Sequence, residues 1–261
     1  MATVLLTFDI EEFDLPREHG VDITVQQSVA VSAAGTGRLL DLLARHGVQA
    51  TCFCTVTFAQ HAPQLVQRMT ADGHEVASHG MNHWQPAKDA PLLSRPLLQQ
   101  ISGQDVVGYR QPRMMDTDNA LLRQAGYTYN ASLNPSFIPG RYMHLTTPRT
   151  CHVRDGVAQI PASVTPWLRL PLFWLSLHHL PQGMYHWMAH RVLQHDGYFM
   201  TYFHPWELCP LSDYPQYHVP HLIARRCGDS MLARLDRLIT HLQQQGCEFS
   251  TCRDFLATHP L

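Results

Sequence analysis

The chain has 261 residues, 45% of them apolar and 15% charged, and a net charge of −2. That balance excludes a disordered chain and gives no electrostatic case for a nucleic-acid partner, and no apolar run reaches the roughly 20 residues of a membrane span. Seven scattered cysteines without a C-x-x-C pair predict reduced thiols, and a start that enters an apolar strand at once predicts a cytoplasmic protein, not a secreted one.

In chain order, residues 4–8 form an apolar run that predicts a buried strand. Residues 36–46 have helical spacing and are closed by Gly47. A second strand is predicted over 48–55, where Cys52 and Cys54 read as small buried hydrophobes. A helix over 62–71 opens on Pro63, and a third strand over 74–78 follows Gly73. Then come a helix over 92–101, a strand over 106–110, a helix over 119–125 closed by Gly126, and a strand over 127–131. This strand–helix–Gly rhythm, at roughly 25–30 residues per unit, predicts βα units with parallel strands. Beyond it, 134–149 reads as a long loop, 159–163 as a strand, 185–195 as a helix, 198–204 as a strand, 230–245 as a helix and 248–252 as a last strand. Residues 166–180 are apolar and aromatic around Arg169, with two readings: an insertion packed on the fold, which base rates favour, or a peripheral membrane contact. Without a linker or repeat, the expected organisation is one α/β domain over 1–261, a closed or nearly closed barrel.

Polar clusters fall at the predicted strand ends, where such barrels carry their chemistry. Asp9 and Glu11, two apart on a strand, share one face, and two carboxylates closing an apolar strand need a cation or hydrogen bonds to neutralise them. The alternative is a pair of solvated loop acids like Glu12 and Asp14. His79 and His83 are four apart and meet on one turn; two imidazoles plus a carboxylate make a catalytic metal set. The alternative is one cap and one core histidine. Arg110 has the rigid fork that orients a carboxylate, or is a surface cation. His204 is suited to protonating a leaving amine, or is a satisfied core histidine, with Glu207 structural.

At these residues the chain resembles the polysaccharide deacetylase (NodB-homology, carbohydrate esterase family 4) superfamily. Thr7-Phe8-Asp9, Ala50-Thr51-Cys52-Phe53, the stretch from Gly73 to His79 with His83, and Tyr109-Arg110-Gln111-Pro112 run in the family's order. The resemblance implies a distorted (β/α) barrel of about seven parallel strands and a metal-dependent hydrolase that removes an N-acetyl group from an amino sugar. It implies Asp9 as general base, Arg110 as its orienting partner, His204 as general acid, and Glu11, His79 and His83 as ligands of a divalent metal, zinc in the family pattern. Ile10 stands where the common motif has a second Asp, so Glu11 substitutes as ligand, as in a D-x-E variant subgroup. Asn130 stands where an Asp is expected. Without a leader, a nucleotide-linked, lipid-linked or small amino sugar is expected in place of an extracellular polymer. A deformylase or other non-peptide C–N hydrolase, and a catalytically silent sugar-binding member, are the alternatives.

Overall fold

The first strand, β1 (Thr3–Ile10), is buried along its whole length. A parallel sheet covered on both faces requires this, and it explains a run that is apolar instead of alternating. The computed structural model describes residues 2–138, 142–143 and 146–261. After β1 come α1 (Leu15–Glu18), α2 (Val25–His46), β2 (Thr51–Cys54), α3 (Val56–His61), α4 (Pro63–Ala71), β3 (Glu75–Ser78), α5 (Ala90–Ser102), β4 (Gly108–Tyr109), α6 (Asn119–Ala125) and β5 (Tyr129–Asn130). The second half holds β6 (Phe137–Ile138), β7 (Tyr142–Met143), β8 (His152–Arg154), β9 (Val157–Gln159), α7 (Trp174–His179), α8 (Gln182–Asp196), β10 (Tyr198–Phe203), α9 (His221–Ala224), α10 (Asp229–Gln244), β11 (Glu248–Phe249) and α11 (Cys252–Thr258).

The main sheet has the order β10-β1-β2-β3-β4-β5-β9-β8, with β11 pairing the start of β1. From β10 to β9 seven strands run parallel, and β8 closes the row as an antiparallel hairpin partner of β9. The sheet curls into a partial barrel, as expected, but among the described residues strand pairing does not close it. Residues 160–163, expected to continue a strand, extend past β9 and span the gap by single bonds. Ser163 N–H donates to the Met200 carbonyl, and the Met200 N–H to Ser163 Oγ, both at 2.9 Å.

The register aligns the strand ends. Ile10, Cys54, Ser78, Tyr109, Asn130 and Gln159 form one cross-sheet row. Glu11, His79 and Arg110 are the residues just beyond that row, so the sheet delivers them to one rim. His204 follows β10 on the neighbouring side.

Three segments differ from expectation. Helix α2 starts at Val25, well before the predicted start at 36, because its early turns bury Ser28, Ser32, Gly35 and Thr36 in place of large apolar residues. A Cβ on Gly35 would stand 1.9 Å from the Pro205 carbonyl oxygen, so glycine lets the helix back directly onto the segment after His204. Within 134–149, read as a loop, β6 and β7 form an antiparallel pair; residues 139–141 and 144–145 lie outside the described residues. The 166–180 stretch divides: Leu172, Phe173 and Trp174 are core, while Trp167 is 82% and Leu168 73% exposed. Arg169 turns inward and donates to the carbonyls of Pro135 and Thr147. Cys52 and Cys54 are buried, as expected.

Candidate metal and catalytic site

Arg110 is not a surface cation: it is fully buried inside the barrel. Its Nη1 donates to Asp9 Oδ1 at 2.6 Å and to Thr7 Oγ1 at 2.9 Å, and its Nε donates to the Ala131 carbonyl. The guanidinium lies 4.0 Å from the Phe53 ring centroid. An arginine so enclosed is held in one orientation and needs a buried carboxylate partner. Burial pushes the Asp9 carboxyl up, but the charges of Arg110, His79 and His204 outweigh it and hold Asp9 below the ordinary carboxylate range. Asp9 is therefore an ionised carboxylate in a largely dry site.

Glu11 is also buried, and both histidines turn to it. His79 Nε2 lies 3.2 Å and His83 Nε2 3.3 Å from Glu11 Oε2, with the two rings stacked at 5.7 Å. The other nitrogens are pinned from behind. His79 Nδ1 is 2.8 Å from the Arg110 carbonyl oxygen, and His83 Nδ1 is 2.8 Å from Asp14 Oδ2. A carbonyl oxygen only accepts, so His79 Nδ1 carries the hydrogen and, in the neutral ring, Nε2 presents its lone pair to Glu11. A lone pair facing a carboxylate is tolerable only with a proton or a cation between them. Burial pushes His83 down, but the Glu11 charge and the Asp14 hydrogen bond and charge raise it to about 9. Among the described residues, Glu11, His79 and His83 form the group whose ligand atoms lie close enough to grip one ion, within 4.8 Å of one another. Two imidazoles oriented from behind, plus a carboxylate, are a donor set that fits a divalent cation.

His204 closes the other side. Its Nε2 is 3.9 Å from Asp9 Oδ2 and 4.0 Å from Glu11 Oε1. Its Nδ1 is 3.0 Å from Glu207 Oε1, which also accepts the His204 backbone N–H at 2.6 Å. The second oxygen of Glu207 is 2.8 Å from His178 Nε2. His178 and Glu207 are fully buried. The ring stacks on Trp206 at 5.1 Å and meets the Trp174 edge at 5.4 Å. Burial pushes His204 down, but the charges of Glu11, Glu207 and Asp9 and the Glu207 hydrogen bond raise it above the ordinary histidine range.

Every residue expected in the site thus reaches one cleft of about 250 Å³ or its floor; Asp9, Glu11, His83 and His204 line it directly. Four partners were not expected. Asp14, read as solvated, is buried, because His83 and Arg113 engage it. Glu12, read likewise, is buried and accepts from Thr55 Oγ1. Trp206 Nε1 donates to Glu11 Oε1 at 3.4 Å. The acidic partner of His204 is Glu207, with the i, i+3 spacing as its only sequence signal. Asn130 instead bonds to Asn119 and Ser132.

Comparison with known proteins is consistent with this geometry. A family model described as polysaccharide deacetylase matches residues 2–130. A chitooligosaccharide deacetylase of Sinorhizobium fredii is 52% identical over 48 residues, 18% of this chain and 22% of that protein. The chain therefore spans about a fifth of that relative's length. Among solved structures, a probable polysaccharide deacetylase from Pseudomonas aeruginosa PAO1 superposes with a TM-score of 0.64 at 18% identity, covering 99% of this chain and 92% of that one. PuuE allantoinase gives 0.62 at 17%, covering 99% and 91%. The structural likenesses carry the fold alone; the family match places residues 2–130, the first half of this chain, in the polysaccharide deacetylase family.

Proposed function

We propose that the protein is a metal-dependent hydrolase that removes an N-acyl group, acetyl first among them, from an amino sugar. The observation that carries this reading is the convergence of His79 Nε2 and His83 Nε2 on Glu11 Oε2, beside an ionised Asp9 fixed by Arg110. Glu11, His79 and His83 would hold a divalent cation, zinc by the fit of two nitrogens and one oxygen. When bound, that cation supplies Lewis-acid polarisation of the acyl carbonyl.

The chain's own residues do the proton work. Asp9 takes a proton from the water that attacks the carbonyl carbon, and Arg110 keeps Asp9 charged and aimed. His204, with Nδ1 tied to Glu207, points Nε2 into the cleft and gives its proton to the amine nitrogen as the C–N bond breaks. The products are a carboxylate and a free amino sugar.

Two features of the surroundings bear on the substrate's carrier and setting. The exposed Trp167 and Leu168 support contact with a lipid surface and hence a lipid-linked sugar. All seven cysteines are free, which supports a reducing, cytoplasmic setting. No helix among the described residues is long and apolar enough to cross a membrane. A silent binding role fits poorly with a complete set of base, acid and ligand positions.

The test is release of acetate from N-acetyl amino sugars, free, nucleotide-linked and lipid-linked, before and after chelation and zinc repletion. Acetate release lost on chelation and restored by zinc supports the reading. Formate release from N-formyl sugars alone would overturn acetyl as the acyl group, and ring opening of a cyclic amide or no turnover would overturn the whole reading.

A further inference from the structure

His178, on α7, is fully buried, and its ring is only half satisfied. Nε2 lies 2.8 Å from Glu207 Oε2, while Nδ1 has no partner among the described residues. A buried ring nitrogen left unpaired carries a desolvation penalty, so packing alone favours an apolar side chain at this position. What a histidine supplies there is its one bond, and that bond goes to the carboxylate that holds His204.

The geometry behind His204 follows from this bond. A carboxylate only accepts, so His178 Nε2 is the donor whatever the state of Nδ1. The bond engages the second oxygen of Glu207 and leaves the first to His204, whose ring Nδ1 and backbone N–H meet it at 3.0 and 2.6 Å. With both oxygens engaged, the Glu207 carboxylate cannot turn. The backbone of His178 is fixed as well, because Arg226 Nη1 donates to its carbonyl. Helix α7 also carries Trp174, whose ring lies 5.6 Å from His178 and 5.4 Å from His204 and lines the catalytic cleft. One short helix thus shapes the wall beside His204 and anchors the acid behind it.

We propose that His178 is a positioning residue for proton transfer from His204: by holding the second oxygen of Glu207, it keeps that carboxylate ionised and in the one orientation that aims His204 Nε2 into the cleft. The link to catalysis rests on the amino-sugar hydrolase reading above; the hold on Glu207 does not.

The sign of the pH effect is set by Glu207, which works as an anion. Activity falls as pH drops through its titration, and a lost donor moves that titration up, so the fall begins at higher pH. Besides the two histidines, the titratable groups that feel the Glu207 charge are the Cys227 thiol, ahead of α10, and the Tyr185 hydroxyl on α8. Burial pushes both up, and they stay uncharged through this range.

The test compares His178→Leu, which removes the donor, with His178→Gln, whose amide nitrogen reaches the place of Nε2. In acetate release by the zinc-loaded enzyme, His178→Leu is expected to lower kcat at least about tenfold with KM unchanged. The acid limb of its pH profile should lie about one pH unit higher, the worth of a hydrogen bond to a charged group. His178→Gln should recover both. Melting temperature and metal content report folding; if His178→Leu does not fold, His178→Asn, whose amide is too short to reach Glu207, takes its place. A merely structural role would lower stability and leave the acid limb where it is.

A second readout needs no substrate. The Glu207 carboxyl carbon is followed by nuclear magnetic resonance in isotope-labelled protein and assigned with Glu207→Gln. Its titration should move up by about one pH unit in His178→Leu and return in His178→Gln. That movement with no acetate released from any sugar supports the His178 assignment while the deacetylase reading fails. Acetate release with kcat, the acid limb and the carboxyl titration unchanged in the folded donor-less variant leaves the deacetylase standing and overturns the assignment.

Discussion

Two buried histidine–carboxylate clusters sit a few ångströms apart and are built for different work. Around Glu11, two rings approach the same oxygen edge-on at 3.2 and 3.3 Å, each pinned from behind at Nδ1. Around Glu207, the carboxylate is saturated: one oxygen takes the His204 ring and backbone N–H, the other takes His178. Burial pushes Glu207 up, but hydrogen bonds from His178 and His204, and their charges, hold it below the ordinary range. The first cluster has histidine lone pairs that a cation can take up; the second has every carboxylate oxygen spoken for. The same residue types therefore make a candidate ligand set in one place and a positioning device in the other, and what separates them is that two Nε2 atoms converge on one oxygen of Glu11, whereas the two oxygens of Glu207 hold one ring each.

The largest predicted effect comes from the pair that serves both clusters. Arg110→Met leaves Asp9 buried and unpaired and should cost about 3–5 kcal/mol of stability in urea unfolding; a loss under about 1 kcal/mol would show that the ion pair is not structurally required. Asp9→Asn should lower kcat by about 10²–10⁴-fold while the protein stays folded and metal-bound, and full activity in this variant would remove Asp9 as base. Glu207→Gln frees His204 to turn and should reduce kcat by about 10²-fold with little change in KM, whereas a matching rise in KM would mean that Glu207 only shapes the cleft. Gly35→Ala presses a methyl group on the Pro205 carbonyl and should destabilise by about 1–3 kcal/mol. Unfolding and acetate-release assays would read it together; loss of stability without loss of activity would uncouple α2 from the His204 segment.

The smallest effect is the most diagnostic of the Glu11 cluster. His83 is raised to about 9 in the metal-free protein, so near neutral pH it carries a proton that an incoming cation must displace. Metal affinity should therefore climb with pH and level off near 9, with proton release visible by calorimetry in buffers of different ionisation enthalpy. Affinity constant between about pH 6 and about pH 8 would contradict that assignment.

The parallel-sheet half of the molecule was legible because its devices are local. Gly47 and Gly126 close their helices in left-handed conformation, as their place after apolar periodic runs implies. Asp9, Glu11, His79, His83, Arg110 and His204 stand at strand ends, where function concentrates in such sheets. The features that were not legible depend on contacts between distant segments. His178 meets Glu207 from a helix 29 residues earlier, without a spacing pattern to reveal it. Asp14 looks like a loop acid until Arg113 and His83 cover it. The first half of α2 escaped because its buried face is Ser, Gly and Thr apart from Val29, a stripe that reports close backbone approach more than hydrophobicity. The open seam between the sheet edges could not be read from the alternation of strands and helices.

The central claim is that Glu11 replaces the second aspartate of the common motif as a ligand. Metal analysis of Glu11→Gln after dialysis against zinc, beside the wild type and His79→Ala, tests it most directly. The geometry predicts a stoichiometric ion in the wild type and none retained in either variant, with both still folded. A stoichiometric ion retained by folded Glu11→Gln would contradict the account.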